Sequence, residues 1–202
     1  MSLAYQIPDG MTEVCYEIKK SRFIARLIFA SDREQAMQAL EQAKQDFPDA
    51  RHHCWAYQIG SPTSPHLAAM SDDGEPSGTA GKPILNVIQH KDVGDLMLIV
   101  IRYFGGIKLG AGGLVRAYSQ ATQMAFDALK TKRHVELDEF SLICGFQDEQ
   151  SIRHWLKQYE SGIRQVEYQD KVIMHIAMDG LYLEELEVFL ATLKEASLIQ
   201  KT

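Results

Sequence analysis

A chain of 202 residues that is 46% hydrophobic and 24% charged has the composition of a soluble globular protein, with room for one large domain or two small ones. Its net charge of −6 argues against wholesale attraction to nucleic acid, but from Val135 onward 6 Lys and Arg stand against 13 Asp and Glu, and before it 15 against 14; a surface that meets a polyanion belongs in the first part. No apolar run reaches the roughly 20 residues of a membrane span, the first residues lack the charge and apolar core of a signal peptide, and the scattered Cys15, Cys54 and Cys144 argue against a disulfide framework, so a cytoplasmic protein without membrane contact is expected.

Thr12 to Ile18 alternates as a half-buried strand and Arg22 to Ala30 reads as a second. The basic turn between them, Lys19-Lys20-Ser21-Arg22, is read as solvated hairpin charge, with phosphate contact as its alternative. Ser31 and Glu34 form a capping box, and Ala36, Met37, Leu40, Ala43 and Phe47 carry the apolar face of a helix that stops at Pro48. His53 to Ile59 is a further strand. His52 and Cys54 share a face there, but no second pair stands at a zinc spacing, so a structural role is expected.

From Gly60 to Pro83 aliphatic periodicity fades, and the spacing predicts a long loop. Gly81-Lys82 does not make a phosphate loop of the Walker type, because Pro76 and Pro83 stand where Gly and Ser or Thr are required. Asp72, Asp73 and Glu75 are read as a solvated acidic turn, the alternative being oxygen ligands for magnesium beside a phosphate; no metal site and no cofactor is assigned. Pro83 suits the first turn of a short helix that buries Ile84, Leu85, Val87 and Ile88.

The chain is organised around the stretch that follows. Leu96 to Ile101 is a continuous apolar run, suited to a strand buried on both faces. It feeds Gly105, Gly106, Gly110, Gly112 and Gly113, and then a helix with Leu114, Tyr118, Ala121, Ala125 and Leu129 on one face. Lys130, Lys132 and Arg133 are expected at that helix's end, where cations complement the dipole. A strand, a glycine turn and a helix amino terminus together favour an anion, with Lys108 and Arg116 as reinforcement. The alternative is that the glycines serve only backbone geometry.

The acidic remainder reads as strand Glu136 to Phe146, helix Asp148 to Tyr159 stopped near Gly162, a hairpin of Ile163 to Tyr168 with Lys171 to Ala177, helix Tyr182 to Ala196, and a short edge strand at Leu198-Ile199. This βαββαβ order is the split βαβ of ferredoxin-like domains. Without the exposed aromatic motif and basic sheet of RNA-binding members, it is read as a packing or protein-contact module. The fold class expected is α+β in two domains, residues 1–133 and 134–202.

The runs D-D-G-E-P-S-G-T-A-G-K-P at 72–83 and R-Y-F-G-G-I-K-L-G-A-G-G-L-V-R-A-Y at 102–118 resemble the signature of the IMPACT family, and the whole chain is similar to its bacterial YigZ-type members. Lys20 to Ala25 and His52, Cys54, Ala56 and Tyr57 also match family segments; His53 departs, standing where the family often has Asn. The resemblance implies a first domain with the fold shared by a small-subunit ribosomal protein and the small-molecule kinases with a glycine-rich phosphate loop. It implies a second domain like the last domain of elongation factor G. The function it implies is a non-enzymatic, translation-associated protein that docks on RNA, the ribosome or a translation-associated protein. Arg102, Lys108 and Arg116 are then expected on phosphate, the glycines at the backbone approach, and Asp72, Asp73 and Glu75 on the rim. The alternative is a magnesium-dependent enzyme acting on a small phosphorylated ligand held by the glycine turn.

Overall fold

The structure, a computed structural model, describes residues 4–135, 137–159 and 161–199. It is an α+β protein of two compact units, residues 5–134 and the residues from 135 onward. Among the described residues no helix is long and apolar enough to cross a membrane.

In the first unit the elements run β1 (Tyr5–Pro8), β2 (Thr12–Ile18), β3 (Ser21–Phe29), α1 (Arg33–Asp46), β4 (His52–Ser61), β5 (Ser64–Ser71), α2 (Gly81–Ile88), β6 (Leu96–Tyr103), α3 (Ala111–Ala128) and β7 (Thr131–His134). Five strands form one antiparallel sheet in the order β2-β3-β6-β4-β5. The central β6 is buried on both faces: Leu96 to Ile101 have no exposed surface, and burying each aliphatic side chain of this size contributes about 1.5–3 kcal/mol. Because side chains alternate along a strand, Leu96, Leu98 and Val100 pack under α2 and α3, while Met97, Ile99 and Ile101 pack under α1. Arg102, the next residue in the first set, is thereby directed toward α3.

Three local expectations change. Of the loop predicted from Gly60 to Pro83, residues 72–80 do form a loop, but the first half is the end of β4 and the whole of β5, paired as a hairpin, and Gly81 already begins α2. An edge strand whose residues are mostly exposed needs no apolar alternation, so periodicity cannot reveal it. The cap of α1 is shifted by one residue: the Asp32 carboxylate accepts the Gln35 N–H, and Gln35 reaches back to the Ser31 N–H. Lys132 and Arg133 do not close α3 but lie in β7, which pairs with the unanticipated β1; Lys132 sits 3.4 Å from Asp9.

The second unit runs β8 (Asp138–Cys144), α4 (Glu149–Leu156), β9 (Ser161–Tyr168), β10 (Val172–Met178), α5 (Leu183–Ala191) and β11 (Ser197–Ile199). Its antiparallel sheet has the order β11-β8-β10-β9. Leu142, Cys144, Val172, Met174 and Ile176 pack against Ile152 and Leu156 of α4 and Leu186 and Leu190 of α5. The first helix ends at Leu156 rather than at Tyr159, and Gly162, expected as its stop, lies inside β9.

Candidate functional site

Strand register builds the site. Arg102 pairs with His52 on β4 and with Phe23 on β3, so the three side chains stand side by side on the face covered by α3. Two turns into that helix, Tyr118 packs edge-on against Phe23 at 5.1 Å. Between them lies Glu75, buried, whose Oε1 accepts from Arg102 at 2.5 Å and from the Tyr118 hydroxyl at 2.8 Å. The Arg102 guanidinium also lies between the rings of Phe23 and Phe104. Its Nε is buried and has no hydrogen-bond partner.

Cys54 closes this network from below. Its Sγ lies 2.9 Å from the Asp72 carbonyl and 3.3 Å from the Tyr118 hydroxyl. Burial, with carboxylates nearby, pushes the thiol up to about 12, so it stays protonated and unreactive near neutral pH. Burial, together with Cys54 and Glu75, raises Tyr118 as well. The aromatic hydroxyl is a fixed donor to Glu75, not a base.

The acidic loop is held by its own backbone. Asp72 accepts three N–H groups, from Gly78, Ala80 and Gly81, at 2.7 to 3.0 Å. Burial alone would raise its carboxyl, but these donations outweigh it and hold the group below the usual range. Through Gly81 the same side chain ties down the start of α2, where a Cβ would meet the Ser71 backbone at 2.8 Å. Asp73 accepts the His53 N–H, and its carbonyl accepts from His52 Nδ1. Of the three acidic residues, Glu75 alone faces the cleft described next.

The glycine turn is built differently. Gly105 donates its N–H to Ser21 Oγ, and a Cβ there would fall 2.0 Å from the Lys20 carbonyl carbon. The basic β2–β3 turn, with Lys19 and Lys20 both at positive φ, therefore packs directly on the glycine turn. Gly106 and Gly110 have φ of 87° and 73°, which glycine alone adopts without strain. Gly110 precedes α3, and no side chain caps that helix. Gly112 and Gly113 form its first turn, so the first amides of an 18-residue helix point outward with its positive dipole end.

A cleft of about 630 Å³ opens here. Arg102 and Glu75 form part of its lining, together with Lys108, Gly110 and Ala111 from the start of α3 and the turn before it, and Asp49, Arg51 and His52 from the start of β4 and the turn before it. Phe104 stands at the lining with 57% of its surface exposed. Arg116 is exposed one turn farther along α3 and does not line the cleft. Sequence reasoning passed over Asp49, Arg51 and Phe104; an exposed aromatic directly before a glycine turn was the available signal for Phe104, while only the fold brings Arg51 here. Among the described residues no three His, Cys, Asp or Glu side chains converge as metal ligands.

Residues 19–126 match the family model described as the Impact N-terminal domain, and residues 142–197 match one described as a domain of unknown function, DUF1949. The chain is 38% identical to IMPACT family member YigZ of Escherichia coli over 195 residues, which cover 96% of each protein. It is also 38% identical to an IMPACT family member of Haemophilus influenzae, over 96% of this chain and 92% of that one. A crystal structure described as that of a hypothetical protein is similar over all of this chain and 98% of its own, with a TM-score of 0.75 and 36% identity.

Proposed function

The chain belongs to the IMPACT family, and from that premise we propose that its first domain is a non-enzymatic docking module that seats an RNA phosphate of the translation apparatus. The carrying observation is the cleft, where the uncapped amino end of α3, Lys108 and Arg51 face one space beside the exposed ring of Phe104. Backbone N–H groups and a helix dipole attract phosphate, and an exposed aromatic offers a base a face to stack on. The Lys19-Lys20 turn, packed against Gly105, extends the basic rim. Arg102 acts from within: its charge is offset by Glu75, and it holds Phe104 in position. The kinship to ribosomal-protein and elongation-factor domains that the family resemblance implies supports a translational setting. The order of the second sheet, that of a ferredoxin-like split βαβ, agrees with the elongation-factor kinship.

Co-sedimentation with ribosomes across a salt series tests this reading. Wild type is expected to bind at low salt and to be released as salt rises, because association frees counterions. An Arg51→Ala/Lys108→Ala variant with unchanged melting temperature is expected to lose binding, and Arg116→Ala to retain it. Salt-insensitive binding would move the proposal to a protein partner. Absence of binding at any salt, with a nucleotide plus magnesium raising the melting temperature, would favour an enzyme acting on a small phosphorylated ligand; the size of the cleft, within the range of small-ligand sites, is what speaks for that alternative.

A further inference from the structure

Resting on that RNA reading, we propose that the cleft is specific for one nucleotide bearing a phosphomonoester, supplied by the end of a single-stranded RNA rather than by the interior of a strand or duplex. Size comes first. A space of about 630 Å³ matches sites that enclose one small ligand, whereas proteins that track a backbone use open grooves. Charge points the same way. Arg51, Arg102 and Lys108 bring three fixed cations to the lining, and Asp49 and Glu75 remove two. An excess of one, with the α3 amides, suits a single phosphate. A monoester, with a charge of about −1.5 to −2 at neutral pH against −1 for a diester, gains more from such a point site.

The remaining groups sort the rest of a nucleotide. Phe104 is held on one face by the Arg102 guanidinium, 5.6 Å from its ring, while 57% of the residue stays exposed; a base stacks on the open face. The Arg102 Nε is buried out of reach of the cleft and has no partner, so this guanidinium serves the cleft by holding Phe104 and pairing Glu75. The buried Glu75 carboxylate repels a second phosphate from this depth, so the chain must leave outward. The strand then meets the Lys19-Lys20 turn beside Gly105. Salt dependence should therefore be shallow for a mononucleotide and steeper for an oligomer.

The test is fluorescence anisotropy with a labelled single-stranded oligoribonucleotide carrying either a 5′- or a 3′-phosphate. Competitors are the same sequence circularised, its duplex, and free nucleoside 5′- and 3′-monophosphates. The expected result is at least tenfold tighter binding of one phosphorylated linear form than of the circle or duplex, competition by the matching monophosphate, and a tenfold loss in Phe104→Ala, whose melting temperature is unchanged. Equal binding of linear and circular RNA would overturn end recognition while leaving RNA docking intact. Binding of a monophosphate with no RNA binding would overturn both readings, as would no binding by any probe. Retained affinity in Phe104→Ala would overturn the stacking assignment.

Discussion

The acidic loop from Asp72 to Gly81 and the glycine turn from Phe104 to Gly113 both contribute to one cleft, and both carry charge among glycines, yet they use their polar groups in opposite ways. In the loop, Asp72 takes three backbone N–H groups, Asp73 takes one, and Glu75 is shared by Arg102 and Tyr118. In the turn, Gly105 is anchored to Ser21, while Phe104, Ile107 and Lys108 are exposed and α3 begins without a side-chain cap. A buried charge that is already paired holds shape, since unpairing it is costly. A donor left open at a concave surface is available to a ligand. Carboxylates that look like a cation site in sequence are here the frame, and the glycines beside them are the opening.

Unpairing the frame is expected to have the largest effect. Glu75→Ala leaves the Arg102 charge buried without its partner and is expected to cost about 3–5 kcal/mol in urea denaturation. Combining Glu75→Leu with Arg102→Met should recover most of that loss; a single variant as stable as wild type would show that the pair does not hold the cleft. Next comes Gly105→Ala, whose new Cβ would overlap the Lys20 backbone; overpacking of this kind costs about 1–3 kcal/mol, read as a lowered melting temperature.

Asp72→Asn should have a smaller effect, about 1–2 kcal/mol as for loss of a helix cap, and its pH dependence gives it away. The Asp72 carboxyl is held below its unfolded-state value of about 3.9. Its stabilisation is therefore complete above that value and lost as pH falls through the folded-state value. The gap in urea midpoint between wild type and variant should persist at neutral pH and close as the pH falls below the unfolded-state value. A gap constant with pH would mean that the charge of Asp72 is not what staples the loop. Lys108→Ala and Phe104→Ala should be nearly silent in stability, within about 0.5 kcal/mol, while ribosome sedimentation falls. If these two lower the melting temperature as much as Asp72→Asn does, the turn is frame as well.

Elements whose periodicity is set by burial are legible in the chain before it is folded. Leu96 to Ile101 announced a strand covered on both faces, and the stripe from Leu114 to Ala125 announced a helix with one buried face, because an apolar pattern is the direct imprint of which side meets the core. The sequence also carried the family, through runs whose glycines, prolines and acids answer to backbone geometry rather than to burial. The edge strand Ser64–Ser71 and the short β1 and β7 were not legible, since exposed strands leave no such imprint. Nor was the division of labour at the cleft. The pairing of Arg102 with Glu75, 27 residues apart, the three amides on Asp72 and the arrival of Arg51 in the same cleft as Lys108 depend on strand register and loop closure. Those are long-range relations, so which charges meet a partner and which stay open to solvent is settled only when the chain has folded.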